Sequence, residues 1–380
     1  MAVWCVYRNL LILFIFYMTN LSTALTRLLG TRLPIIQAPM AGGITTPALV
    51  AAASNAGALG SFGFAYTQPE AMARDVEAAR AQTDAPINLN FFVNVQPAPV
   101  APALQKAAID ALAAYHQALG LPTPAPVRAP YAPDLNAQLS MVEDLRPAVL
   151  TFHLGDLPAE RLKRLRERSI KTGGSATSIE EARHLEALGV DFIIAQGGEA
   201  GGHRGSYLRN PYEAMTGTLA LTRLIVRAVK IPVVAAGGIM DGAGIAAALA
   251  LGAHGAQLGT AFIPCTESGA PAVHKQHLLA AQEDTTMITE KFSGKPARGL
   301  ANRYLREMNG NDAPQLVFPA QNALTGPLRA ASAKAGNPDF VSMWAGQAAP
   351  LSRELSAAQL VITLEHETLE AIERLAALRG

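Results

Sequence analysis

The chain has 380 residues, half of them hydrophobic and only 16% charged, with a formal net charge of +1 at pH 7. This composition supplies a large buried core, excludes a disordered, tail-rich protein, and leaves no electrostatic surplus for neutralising nucleic-acid phosphates. The two cysteines, Cys5 and Cys265, form neither a CxxC pair nor a disulfide framework, which fits a reducing compartment and argues against a zinc ribbon or thioredoxin-type redox site. At about 150 residues per domain the length suggests two or three domains, but a single α/β barrel fills roughly 250. One large domain plus an appendage is expected.

The first residues depart from this average. Leu10–Tyr17 is an unbroken apolar run preceded by Arg8, too short for the roughly 20 residues that span hydrocarbon. Arg8 before it and Ser22-Thr23-Ala24 after it suit an export or anchor signal. The preferred alternative is upstream sequence translated in error over residues 1–17, because Met18 opens a polar, helix-compatible stretch that leads to the first strand. A cytoplasmic protein follows from the second alternative, and export or membrane anchoring from the first.

Past residue 30, short apolar runs alternate with alanine-rich stretches, the pattern of parallel βα units. Strands are predicted at Leu33–Gln37, Ala58–Ser61, Pro86–Phe92, Ala148–Phe152, Ser169–Thr172, Phe192–Ala195, Pro232–Ala235 and Ala256–Leu258. Helices are predicted at Pro47–Asn55, Pro69–Ala81, around Leu104–Ala118, and at Pro158–Arg168, Ser178–Leu188, Gly217–Val229 and Gly242–Leu251. Proline in the first turn, or a Ser or Asp cap, marks several starts, and Gly57, Gly189 and Gly252 mark ends. The pattern predicts an α/β fold, a TIM (β/α)8 barrel over residues 31–270, with a doubly wound open sheet as the alternative. Residues 1–30 form an N-terminal extension. Residues 121–134 are proline-rich and predict an extended excursion, either a lid carrying Tyr131 or a plain surface loop. A smaller, mainly helical domain over residues 271–340 is expected to cover the substrate. Residues 341–380 return to the barrel and end in a helix over Ser352–Leu378, with Leu360, Leu364, Leu369, Ile372 and Leu375 on its apolar face.

Barrel chemistry lies on the loops that leave the carboxyl ends of the strands. Gly237-Gly238 after strand seven and Gly259-Thr260 after strand eight let backbone approach a ligand closely, and together they point to a bound phosphate. Without a GxxxxGK[ST] loop, that phosphate belongs to a cofactor or nucleotide and not to ATP undergoing transfer. The run Gly197–Gly205 holds five glycines and His203; its flexibility would let backbone lie along a flat ligand, with His203 as a base or as a cationic donor to an anionic substrate. No HxH, HxxxH or two-His-carboxylate spacing accompanies it, so no metal is expected. His153, after strand four, points to the same end. Asn88, Asn90 and Gln196 are amides in apolar strands, suited to a ring edge or to an interior network.

Gln37-Ala-Pro-Met-Ala-Gly-Gly, Gln196-Gly-Gly-Glu-Ala-Gly-Gly-His-Arg-Gly, Ala236-Gly-Gly-Ile and Gln257-Leu-Gly-Thr, in that order and spacing, resemble the nitronate monooxygenases, formerly called 2-nitropropane dioxygenases. Thr289-Glu-Lys-Phe-Ser-Gly-Lys-Pro-Ala-Arg298 and Ser342-Met-Trp-Ala-Gly-Gln347 agree, and the likeness runs from about residue 31 to 350. The same glycine motifs resemble the flavin-dependent enoyl-acyl-carrier-protein reductases. The resemblance implies a barrel that binds FMN, with the phosphate at Gly237, Gly238, Gly259 and Thr260 and the ring near Ala38, Pro39 and Met40. Asn90, Gln196, Gly201 and Gln257 would contact the cofactor, and His203 matches the family's active-site histidine. His153 and Tyr131 are expected to face or position the substrate, and Lys295 and Arg298 to help with a substrate carboxylate.

The implied partners are a small nitronate, such as propionate 3-nitronate, and molecular oxygen. The implied products are a carbonyl compound and nitrite, a detoxification. The alternative is an NAD(P)H-dependent flavin reductase acting on an enoyl thioester or quinone. An IMP-dehydrogenase-type reaction needs a cysteine after strand six, and none is there; a non-catalytic flavin module is a further alternative. The departures from the family pattern are the N-terminal extension and Gly173-Gly174, placed after strand five.

Overall fold

The computed structural model describes residues 21–93, 99–310 and 312–379; the apolar leader at residues 1–17 lies outside them. Eight parallel strands form one sheet: β1 (Ile35–Gln37), β2 (Gly60–Gly63), β3 (Ile87–Phe92), β4 (Val149–His153), β5 (Lys171–Ala176), β6 (Phe192–Gln196), β8 (Val233–Ala236) and β9 (Gly255–Leu258). Their order is β1-β9-β8-β6-β5-β4-β3-β2. Leu59 closes the ring, donating to Ile35 O at 2.9 Å and accepting from the Gln37 N–H at 3.0 Å. The open-sheet alternative is thereby set aside. The two-residue β7 (Gly202–His203) belongs to a separate three-stranded sheet with β10 (Thr286–Thr289) and β11 (Ala297–Leu300).

The helices lie where local chemistry starts and stops them. Thr46 caps α2 (Pro47–Asn55) through the Leu49 N–H, Ser178 caps α7 (Ile179–Leu188) through Glu181, and Asp241 caps α9 (Gly242–Ala250) through Gly244. Preceding these, α1 (Ala24–Leu29) sets Leu25 and Leu29 into a buried cluster with Ile36, Val149, Phe192 and Val234, sealing the amino-terminal end of the barrel. Along β3, Leu89 and Phe91 pack outward against helices while Asn88 and Asn90 meet Thr151 of β4 inside. The interior therefore changes from apolar at the bottom to polar near the carboxyl ends, where a site can form.

Three expectations change. Gly173 and Gly174 lie within β5 and not after it: a Cβ on Gly173 would fall inside the Phe192 ring, and one on Gly174 would sit 2.9 Å from Leu185. The glycines make room for a large interior side chain and for α7. Beyond the proline-rich stretch comes an unforeseen helix, α5 (Leu135–Leu145), capped by Asp134 and buried through Leu139 and Val142. In the last helix, α13 (Ala357–Ala376), the buried face runs Leu360, Val361, Leu364, Thr368 and Ala371, whereas Ile372 and Leu375 are exposed. Past Ala371 the helix has no barrel surface to cover.

The other helices of the barrel are α3 (Pro69–Arg80), α4 (Pro102–Ala118), α6 (Ala159–Glu167) and α8 (Thr218–Ala228). After β9, the chain forms α10 (Ala272–Leu279), the β10–β11 hairpin, α11 (Arg303–Asn309) and α12 (Ala320–Lys334). The last two pack with Ala108, Leu112 and Tyr115 of α4 around Phe292, Tyr304 and Phe340. The hairpin reaches the barrel through β7, where Ala297 pairs with His203.

Candidate active site

The glycine-rich loop after β6 is tied into secondary structure at its far end. Gly202 and His203 pair antiparallel with Arg298 and Ala297. Behind them Arg204 is buried, its guanidinium bonding the carbonyl oxygens of Gln196 and Ala214. A Cβ at Gly201 would lie 2.5 Å from the Ala345 carbonyl carbon, so glycine there serves close packing. Such a loop holds His203 in one place.

His203 is 8% exposed. Phe92, Phe318 and Trp344 enclose its ring, with centroids at 5.4, 5.5 and 5.7 Å. Its Nε2 lies 2.9 Å from Ser293 Oγ. Ser293 donates its own proton to Lys295 O at 3.1 Å, so it accepts from the histidine Nε2–H and leaves Nδ1 as a free acceptor. Burial, reinforced by His153 and the charges of Lys295 and Arg329, pushes His203 down to about 3. Burial thus favours the neutral imidazole over the cationic donor, the two forms left open on sequence.

His153 and Gln196 build one hydrogen-bonded unit with it. His153 Nε2 and Gln196 Nε2 both donate to the His203 carbonyl oxygen, at 3.0 and 2.9 Å, while Gln196 Oε1 accepts from the Gly205 N–H at 2.8 Å. Burial pushes His153 down to about 4. Asn88 and Asn90 each donate to Thr151 Oγ1 at 2.9 Å. Asn88 also reaches Ser61 and is wholly buried, so it belongs to the interior network. Asn90 lies nearer the mouth.

At the opposite side of the mouth, Gly237 and Gly238 take φ of +115° and +69°. Among the described residues the N–H groups of Gly238 and Gly259 find no protein acceptor. Thr260 Oγ1 accepts from the Gly346 N–H at 2.9 Å, leaving its proton to donate outward. A Cβ on Gly259 would meet only Ala38 Cβ, at an ordinary 3.5 Å; the protein itself does not demand glycine there, but a ligand lying against the backbone would. Gln257 Oε1 is buried without a partner. Open space lies over Gly42, Gly43 and Gly202, in the loops nearest Ala38, Pro39, Met40 and Gly201. These features fit a phosphate-bearing, flat ligand. Glu199 lies against Gly238 and caps α8 through the Thr218 N–H at 2.9 Å, so an anion would share the turn with one carboxylate.

Tyr131 stands apart from this group. It borders a cavity of about 810 Å³ together with Tyr66, Phe92 and Phe318, on the approach to His203. Arg298 is committed to Gly198 O at 3.1 Å and to Thr286 Oγ1 at 3.3 Å. The partly buried Lys295 ammonium bonds no described group. Among the described residues no three His, Cys, Asp or Glu side chains cluster as metal ligands, and burial pushes the Cys265 thiol up to about 12. Sequence reasoning overlooked Ser293 and Trp344, although both stood within quoted motifs. Arg204 likewise stood in a quoted motif, beside His203. Phe92, Phe318 and Arg329 gave no local signal, since only the fold brings them to His203.

Burial holds His153, His203, His254 and His274 below the ordinary histidine value of about 6.5. Unfolding restores their affinity for protons, so the unfolded chain binds more protons at mildly acidic pH. The resulting stability is complete above about pH 6.5 and is lost as pH falls towards the folded values near 4 and 3. The melting temperature should therefore decline from pH 7 to pH 5 by differential scanning fluorimetry. A flat profile would contradict the burial of these rings.

A closed parallel barrel with its glycine turns, buried histidine and polar interior gathered at one mouth defines an α/β-barrel enzyme. The nitronate monooxygenase family model matches residues 22–367. The chain is 42% identical over 355 residues to a nitronate monooxygenase of Paraburkholderia phytofirmans, covering 93% of this chain and 96% of that one. It is 43% identical over 345 residues to one of Pseudomonas aeruginosa, covering 90% and 98%. Among solved structures, a nitroalkane oxidase from Streptomyces ansochromogenes superposes with a TM-score of 0.85 at 41% identity, over 93% of this chain and all of that one. FabK from Thermotoga maritima superposes at 0.75 with 29% identity, over 94% and 99%. The chain belongs to the nitronate monooxygenase family, a family of oxidoreductases. No helix among the described residues is long and apolar enough to cross a membrane.

Proposed function

We propose that the chain binds FMN at the barrel mouth and oxidises alkyl nitronates with molecular oxygen to a carbonyl compound and nitrite, removing propionate 3-nitronate and similar poisons. Gly237, Gly238, Gly259 and Thr260 would hold the phosphate through backbone N–H groups and one hydroxyl. Ala38, Pro39, Met40, Asn90, Gln196, Gly201 and Gln257 would surround the ring, with His153 bracing the histidine from behind. The chemistry such a cofactor supplies when bound is electron exchange between the substrate and oxygen.

The observation that supports the substrate choice is the enclosure of His203, whose ring is closed in by Phe92, Phe318 and Trp344 and whose Nε2–H is held by Ser293. An imidazole pushed down to about 3 removes a carbon-bound proton poorly, so a substrate that arrives already deprotonated, the nitronate, is favoured over the neutral nitroalkane. His203 then works by filling the aromatic enclosure and setting the position of the reacting carbon, with Nε2–H tied to Ser293. Tyr131 borders the path by which substrate enters.

The likeness to FabK favours a second reading, an NAD(P)H-dependent flavin reductase of enoyl thioesters or quinones. Anaerobic mixing separates the two. Bleaching of the flavin absorbance by propionate 3-nitronate alone, with NADH and NADPH inert, is the expected result. Bleaching by a nicotinamide and not by the nitronate would overturn the proposal.

A further inference from the structure

Arg329, on α12, carries a part-buried guanidinium whose hydrogen bonds all go to neutral groups. Its Nε donates to Thr325 Oγ1 at 3.1 Å, one terminal nitrogen to Asn322 O and Oδ1 at 2.7 and 2.9 Å, and the other to Ser342 Oγ at 3.3 Å. Among the described residues no carboxylate lies within ion-pair distance of it. Buried charges are ordinarily paired, because leaving water without a counter-charge is costly. One N–H of the second terminal nitrogen is also left over, since a guanidinium carries five donors.

Nearby, the hydroxyl of Tyr66 is buried without a partner, an uncommon and costly state for a polar group. Its ring meets Phe92 edge-on at 5.9 Å, and Phe92 meets His203 at 5.4 Å, so Tyr66 packs against the wall of the histidine enclosure. Tyr66 also borders the 810 Å³ cavity. Arg329 is tied to the same enclosure: Thr325, which accepts from its Nε, donates to Phe292 O at 2.6 Å, one residue before the Ser293 that holds His203, and Phe292 meets Trp344 of the enclosure edge-on at 5.9 Å. His203, being neutral, offers no countercharge to an anionic substrate.

We infer that Arg329 and Tyr66 form an anion subsite beside His203 for a planar, two-oxygen anion of the substrate, and that Arg329 is a specificity-determining residue. Resting on the proposed reaction, that anion is either the nitronate group or a carboxylate on the substrate's tail, which share shape and charge. Arginine suits both, because its fork matches two oxygens in one plane. The unpartnered tyrosine hydroxyl supplies a further donor. Lys295, cationic and without a bonded partner, adds to the local positive potential.

Succinate tests the subsite without any turnover, since it carries two planar two-oxygen anions at the spacing of propionate 3-nitronate. Isothermal titration of the purified protein should give a succinate Kd that rises at least about tenfold in Arg329→Gln, the loss expected when a charge-assisted hydrogen bond disappears. Tyr66→Phe, which keeps the ring and its packing, should weaken binding in the same direction by several-fold. Arg329→Lys keeps the charge without the fork and should fall between wild type and Arg329→Gln.

Steady-state kinetics then separate the two sources of the anion. A loss of kcat/KM in Arg329→Gln confined to propionate 3-nitronate, with propyl-1-nitronate unaffected, assigns the tail carboxylate; a loss on both assigns the nitronate group. Succinate binding unchanged in both Arg329→Gln and Tyr66→Phe, each folded by circular dichroism, would overturn the subsite. Absence of nitronate turnover by the wild-type protein would overturn the proposed reaction and leave the titration result to stand or fall alone.

Discussion

Replacing His203 with asparagine is expected to leave the protein folded and its cofactor bound, and to cut kcat/KM for a nitronate at least about a hundredfold. The magnitude comes from geometry. The ring fills a space bounded by Phe92, Phe318 and Trp344 and is tied at Nε2 to Ser293. Loss of a positioned group that sets the reacting atoms costs on the order of a hundredfold even without proton transfer. Asparagine is shorter, so the enclosure would no longer define the substrate's position. The fold should survive, because the His203 carbonyl oxygen, and not its side chain, receives the bonds from His153 and Gln196, although the smaller side chain opens a void that lowers the melting temperature. Turnover and flavin content are measured on the same sample. Loss of flavin would make His203 a cofactor residue, and unchanged turnover would leave it only a packing role.

The second large effect is expected at Gly259. Most glycines of the mouth cannot be tested cleanly, because a side chain there strains backbone or strikes protein: Gly237 has φ of +115°, and a Cβ on it would lie 2.9 Å from the Ala200 nitrogen. Gly259 has an ordinary backbone, and its Cβ would meet only Ala38 at 3.5 Å. Gly259→Val should therefore fold with a nearly unchanged melting temperature in the cofactor-free form. In the proposed site the added methyl groups lie where the cofactor meets the backbone, and overfilling of this kind costs about 1–3 kcal/mol. The FMN Kd should accordingly rise at least about tenfold. An unchanged Kd would move the cofactor away from the turn after β9.

The barrel was largely legible in the sequence because its signals are local. Apolar runs of strand length, prolines in first turns, and Ser178 or Asp241 as caps each act within a few residues. Gly173 and Gly174 were misplaced because a glycine pair ordinarily reads as a turn; only the Phe192 ring on the neighbouring strand and Leu185 of α7 explain them. Likewise α5 hid behind a proline-rich stretch, and Ile372 and Leu375 matched a helical stripe that runs past the surface it would cover. In the site, the glycine turns and His203 stand out in the sequence. Its electrostatics do not: the neutrality of His203 follows from burial by Phe92, Phe318 and Trp344, which come from three distant parts of the chain. The same holds for Arg329, whose lack of a carboxylate partner among the described residues follows from how α12 packs.

In the proposed reaction this barrel mouth oxidises a pre-ionised carbon acid with oxygen and needs no nicotinamide. Oxygen uptake and nitrite release, followed together on the purified protein in air with propionate 3-nitronate and no NADH or NADPH, test it most directly. Turnover with nitrite formed as oxygen is consumed is expected, with a rate at least about a hundredfold lower when the neutral nitro acid is supplied before it ionises. Turnover that appears only on adding a nicotinamide, or that is as fast on the neutral nitro acid, would contradict it.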